Sequence, residues 1–150
     1  MKTTIRVAGP GDEQAVAGLL GVLFRELSPT DAIDDQRLLE PVRAVLAMPT
    51  VHAILAECAG RPVGLAMLNE CAAVYAGGVF GEVTELVVLP QARSGGVAAR
   101  ILDRCADLGR ERGWTRIEVG APEQPAWART LAFYRREGFV EIGPRLKRPL

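Results

Sequence analysis

Histidine is nearly missing from this chain: His52 is the only one in 150 residues. A histidine-built zinc centre or a Ser–His–Asp triad needs more partners than that, so no metal is expected. Cysteine is scarce as well. Cys58, Cys71 and Cys105 are odd in number and lack metal-ligand spacing. They read as small apolar residues of a reducing, cytoplasmic protein rather than a disulfide framework. A charge surplus is also lacking, with 18 basic against 18 acidic residues and a pI near 6.6. General nucleic-acid binding needs a basic excess, so no nucleic-acid partner is expected. No stretch reaches the roughly 18–20 apolar residues of a membrane span. Met1–Val7 carries no apolar signal core, so neither membrane insertion nor secretion is expected. What the chain does have is 49% apolar residues, enough to bury a core. Its length favours a single domain over residues 1–150.

Hydrophobic periodicity orders that domain. Thr3, Ile5 and Val7 alternate as a strand, and Asp12 offers a helix N-cap. Val16, Leu19, Leu20, Leu23, Phe24 and Leu27 form a helical stripe. A second helix is predicted from about Asp35 to Ala47, with Pro41 blurring its start. Val51–Cys58 and Val63–Leu68 read as a hairpin around Gly60. Residues 70–79 are small and loosely patterned, which predicts a loop. Phe80–Leu89 is a central strand and Val97–Arg112 a third helix, closed by Gly113. Thr115–Val119 is a strand, Trp127–Arg136 a fourth helix and Phe139–Ile142 a further strand. Antiparallel strands followed by crossover units imply a mixed sheet covered by helices.

The most informative segment is 83–102. An apolar strand stops at Pro90, a turn carries Arg93, Ser94, Gly95 and Gly96, and an amphipathic helix starts at Val97. The first N–H groups of a helix have no partner inside it, and the macrodipole adds partial positive charge there. Such an end holds a phosphate or pyrophosphate. The two glycines allow close approach and positive φ, and Arg93 can add a charge-assisted bond. The chain has no Gly-x-x-x-x-Gly-Lys-Ser/Thr loop and no Gly-x-Gly-x-x-Gly after a strand, which leaves ATP and NAD as poor fits.

Arg93-x-x-Gly96-x-Ala98 resembles the pyrophosphate loop of the GNAT superfamily of N-acyltransferases, whose pattern is Arg or Gln, two residues, Gly, one residue, Gly or Ala. Leu86-Val87-Val88-Leu89-Pro90 is similar to that family's central strand. Residues 127–139 resemble its second signature through Tyr134, Gly138 and Phe139. Trp127 and Thr130 stand where the family often has Asn and Ala, a departure that alters the amide contact expected on that side of coenzyme A. The element order matches the family as well. The resemblance implies an α/β (α+β type) fold: a mixed, mostly antiparallel sheet of six or seven strands flanked by about four helices.

That resemblance implies transfer of acetyl from acetyl-CoA to a primary amine by direct attack in a ternary complex, without a metal. The cofactor would lie on the Leu86, Val87 and Val88 backbone and on Arg93, Ser94, Gly95, Gly96, Val97 and Ala98. Trp127 and Thr130 would flank it. Val88 N–H would meet the developing oxyanion, a donor worth roughly 3–4 kcal/mol. Tyr134 would return a proton to the departing thiolate. A carboxylate would accept the amine proton, and Glu82 and Glu118 are the candidates. Glu85, three residues on, should face the other side of a regular strand. Glu26, Asp31, Asp34 and Asp35 crowd the region that shapes the acceptor site in the family, where the amine would sit on a small molecule or a peptide. A non-catalytic acyl-CoA sensor on the same fold is the alternative. Unpaired strand edges leave a homodimer open.

Overall fold

The alternation and helical stripes close into one sheet with helices on both faces. The computed structural model describes residues 2–150. Its elements are β1 (Thr3–Val7), α1 (Glu13–Leu27), α2 (Asp35–Leu46), β2 (Val51–Cys58), β3 (Arg61–Ala73), β4 (Gly78–Val88), α3 (Val97–Glu111), β5 (Ile117–Val119) and α4 (Ala128–Arg136). Short 3-10 turns sit at Val74–Ala76 and Pro90–Ala92. The sheet order is β1-β2-β3-β4-β5. The first four strands are antiparallel, and β5 lies parallel to β4.

Each face has its own core. On one, Val16, Leu19 and Leu20 of α1 and Val42 of α2 pack on Leu55, Leu65, Met67 and Val87. On the other, Val97, Ile101, Leu102 and Cys105 of α3 and Tyr134 of α4 pack on Ile54, Ala66, Leu68, Val83 and Val88. Burying one such aliphatic side chain contributes roughly 1.5–3 kcal/mol. These stripes, more than intrinsic helix propensity, hold the helices in place.

The helix starts differ from the simple reading. Asp12 occupies the N-cap position of α1, but its side chain makes no cap bond. Its carboxylate instead accepts two 2.8 Å bonds from Arg6 and a 2.7 Å bond from Gly9 N–H. The Arg6 guanidinium holds this carboxyl down near a pKa of about 2. Asp34 caps α2 through Gln36 N–H at 2.9 Å, and Pro41 lies inside that helix rather than at its start.

The segment 70–79 is not a loop. β3 runs on to Ala73 and β4 already begins at Gly78, so the two strands form a long hairpin. Its far end is held by Glu70, whose carboxylate accepts from Arg112 and from the Trp114 indole. The sheet has five strands rather than six or seven. Phe139–Ile142 alternates like a strand but pairs with nothing among the described residues, and Val140 and Ile142 are largely exposed.

Candidate functional site

The site begins with a slip in the β3–β4 ladder. Met67 pairs with Glu85 and Leu68 with Val83, so Thr84 is an extra residue on β4. Such a bulge breaks the two-residue period and increases local twist. Val83 and Val88 therefore share the α3–α4 core although their numbers differ by five. Glu85, opposite Met67, comes to the α1–α2 face. Asn69, two residues from Met67, puts its partner Glu82 on that same face. The expectation that Glu82 and Glu85 would lie on opposite faces is thus corrected by the bulge.

β4 and β5 separate at the bulge. Their pairing covers only Gly81–Val83 against Ile117–Val119. Beyond it, Leu89 N–H donates to Val63 O of β3 at 2.8 Å. Backbone groups alternate in direction along a strand, so Leu86 and Val88 direct theirs away from β3, into the gap that β5 leaves. The Val88 carbonyl meets Arg93 Nε there at 2.8 Å. Leu86 and Val88 N–H remain available along this edge. Val87 turns its side chain into the α1 core.

The turn after β4 delivers α3 beside that edge. Positive φ falls on Ser94 (66°) and Gly96 (75°), while Gly95 needs none. Gly96 is the N-cap of α3 without a side-chain cap bond, and the space beyond its α-carbon is open. The first helical acceptor is Gly96 O, used by Arg100 N–H at 3.1 Å. The earlier N–H groups, on Val97, Ala98 and Ala99, have no acceptor among the described residues. This turn, the unpaired backbone edge and the positive helix end fit a long ligand carrying an amide-rich arm and a pyrophosphate. The Arg93 side chain is half-exposed, and its Nη2 donates to Glu26 Oε1 at 2.6 Å.

Tyr134 lies across the sheet from the glutamates, in the α3–α4 core. The residue is 94% buried, its ring between Phe133 and Phe139, each with its centroid 5.6 Å away. Burial pushes its phenol up to about 12. His52 Nε2 is the only side-chain polar atom among the described residues that is both fully buried and unpartnered. Tyr134 itself lines the adjacent groove. That groove, about 1470 Å³, runs past the edge of β5 and is lined by Tyr134, Glu82 and Glu118 alike.

Glu82 and Glu118 are register partners on β4 and β5. Like charges in directly opposed positions repel, and each has a guanidinium beside it. Arg145 Nη1 lies 2.7 Å from Glu82, and Arg116 Nη2 lies 2.6 Å from Glu118. Glu82 sits mid-strand in β4. The remaining sequence candidates stand apart from the groove. Leu86–Val88 and Arg93–Ala98 form the notch and the turn. Trp127 is the half-buried N-cap residue of α4, with Thr130 one turn on, and neither lines the groove. Arg145 and the Arg93–Glu26 pair were not legible, because partners 63 and 67 residues apart leave no local pattern.

The chain matches a family model described as "Acetyltransferase (GNAT) domain" over residues 49–141. It is 31% identical over 134 residues to an IAA acetyltransferase from Azospirillum brasilense, covering 88% of this chain and 81% of that protein. Among solved structures it resembles a ribosomal-protein-alanine N-acetyltransferase from Brucella melitensis biovar Abortus 2308, at a TM-score of 0.78 and 23% identity, covering 99% of both chains. It also resembles an aminoglycoside N-acetyltransferase in complex with CoA, at a TM-score of 0.78 and 17% identity, covering 99% of this chain and 95% of that one.

Proposed function

Because the chain belongs to the GNAT acetyltransferase family and is an acyltransferase, we propose that it moves acetyl from acetyl-CoA to a primary amine by direct attack in a ternary complex. The observation that carries this reading is the β4 edge left open beyond the Thr84 bulge, next to the unpartnered N–H groups of α3. The pyrophosphate sits on the turn from Ser94 to Ala98. Leu86 and Val88 pair with the amide-bearing arm, and Val88 N–H faces the thioester oxygen. Trp127 and Thr130 flank the same arm from the start of α4.

The notch lets the two halves of the reaction approach from opposite faces. The amine comes from the α1–α2 side and gives its proton to Glu82 or Glu118, directly or through water. A primary ammonium near pKa ~10 is mostly protonated at neutral pH, so this step requires a base. The amine nitrogen bonds to the carbonyl carbon, the carbon–sulfur bond breaks, and the thiolate takes its proton from Tyr134 on the α4 side. With Tyr134 at about 12 the transfer is uphill against a free thiol near ~8.5. The burial that raises the phenol disfavours a thiolate in the same surroundings equally, which narrows the gap. Direct attack needs no cysteine to carry the acyl group. Cys105 is wholly buried under α3, and burial pushes its thiol up to about 12.

The acceptor is an amine on a small molecule or a peptide. Relatives named for aminoglycosides and for ribosomal-protein alanine support both classes. The first test is thermal unfolding with acetyl-CoA, CoA, ATP and NAD in parallel. Ligand at about 100 times its dissociation constant should add roughly 2.7 kcal/mol, or several degrees for a chain of this size. A shift with the coenzyme A compounds alone, followed by thiol release with a panel holding an aminoglycoside, a polyamine and an alanyl peptide, supports the proposal. No shift with either coenzyme A compound refutes it.

A further inference from the structure

The Arg93 guanidinium is committed in a way a phosphate ligand need not be. Its Nε donates to the Val88 carbonyl at 2.8 Å, and its Nη2 donates to Glu26 Oε1 at 2.6 Å. Val88 is the residue whose N–H faces the notch. Glu26 lies in the last turn of α1, and the preceding turn packs Leu23 and Phe24 into the core that holds Val87 and Leu89. One planar group thus joins the free edge of β4, the turn before α3 and the end of α1. Arginine's rigid fork suits such a two-point tie, and lysine, a single point charge, cannot reproduce it. A pyrophosphate drawn to Arg93 would also approach the Glu26 carboxylate, a like charge already paired with it.

We propose that Arg93, with Glu26, is a positioning residue that sets the direction of the Val88 N–H, rather than a ligand of the pyrophosphate. The inference rests on the acyl-CoA reading above. It makes Glu26 a determinant of the acyl-transfer step, although Glu26 lies 67 positions from Arg93 and outside both signatures. It also links the helix pair on the acceptor side to the donor's carbonyl.

The test uses two acyl donors, acetyl-CoA and S-acetyl-pantetheine, which keeps the thioester arm and lacks the pyrophosphate. Wild type, Arg93→Lys and Glu26→Gln are compared with each donor, after matching urea midpoints show that the variants are folded. A misdirected oxyanion donor should lower kcat by roughly tenfold or more, with both donors, while KM for acetyl-CoA changes little. Two results overturn the proposal. One is a loss confined to acetyl-CoA, with S-acetyl-pantetheine used as well as by wild type. The other is tighter acetyl-CoA binding by Glu26→Gln, as expected if the carboxylate merely competes with phosphate. A wild type that neither binds coenzyme A nor turns over removes the acyl-CoA reading itself, and the positioning role with it. The wild-type arms read that failure separately.

Discussion

Tyr134 is a buried ring and His52 a partly buried one, and burial acts on them in opposite senses. For Tyr134 it keeps the phenol protonated. Tyr134→Phe preserves the packing between Phe133 and Phe139 and removes only the proton. Thiol-release assays should show kcat reduced about a hundredfold, within the usual range for a lost general acid, with KM for acetyl-CoA nearly unchanged. Its unfolding midpoint should stay close to wild type, because burial alone, and no hydrogen bond, acts on the phenol. For His52, desolvation first and Arg112 second lower the pKa below the usual 6.5. Its ring lies 6.2 Å from that of Trp114. The unfolded chain then binds a proton more readily than the folded one. Stability tied to the neutral ring is complete above about pH 6.5 and declines as pH falls toward the folded value. Glu70, held near 2 by Arg112 and then Trp114, acts lower, losing its contribution as pH drops from about 4.5 toward 2. Urea midpoints against pH should therefore fall in two stages, and His52→Gln should flatten the upper one.

At the scale of elements, the β4–β5 seam is set by close approach rather than by sheet length. A Cβ on Gly81 would meet the Trp114 ring at 2.3 Å, and one on Gly109 would meet it at 2.8 Å. The indole thus lies in a slot made by a strand glycine and a helix glycine, with its Nε1–H on Glu70. Gly81→Ala should cost roughly 1–3 kcal/mol, as overpacking commonly does, read from urea unfolding. Gly96→Ala has free space around it and bears only the strain of a left-handed backbone, about 1 kcal/mol. Its effect should appear chiefly as weaker coenzyme A binding in the thermal-shift assay. The helices were legible because Val16, Leu19 and Leu20, or Ile101, Leu102 and Cys105, repeat at a helical period. The hairpin over residues 70–79 was not, because Cys71, Ala72 and Ala73 show no alternation. Its strands are held by Glu70, Arg112 and Thr115, which reaches Ala76 O at 2.7 Å.

Across the whole molecule, the turn before α3 was readable as local chemistry, in the order strand, Arg93, Gly96, helix, whereas the notch was not, because the extra residue at Thr84 leaves no mark on the strand's composition. The ties that bring distant segments onto them were not, since charge pairing over dozens of residues leaves no mark on periodicity. The clearest case is the C-terminal segment. It alternates like a strand at Phe139–Ile142, yet it crosses the groove so that Arg145 reaches Glu82 and lies over Gly120. A guanidinium there occupies the position a cationic amine would approach. Arg145→Ala should leave the urea midpoint within about 0.5 kcal/mol of wild type, as exposed pairs generally do. It should also lower KM for the amine, measured at saturating acetyl-CoA. An unchanged KM would place the amine elsewhere than beside Glu82.

The extra residue at Thr84 has a consequence for what this strand can become. Everything after it is held in phase by one uncompensated count: Leu86 and Val88 toward one core, Glu85 and Val87 toward the other. Side-chain substitutions along β4 act one at a time. A single-residue deletion beyond the bulge, such as loss of Leu86, would act on all that follow together, turning Val87 out of the α1 core and Val88 into it, and reversing which backbone amides look into the notch, whereas loss of Thr84 itself would leave Val83 and Glu85 opposite Leu68 and Met67 and keep both faces. Past Thr84 the strand can therefore be rewritten letter by letter but not re-spaced, and the reading frame of its two faces is itself part of the site.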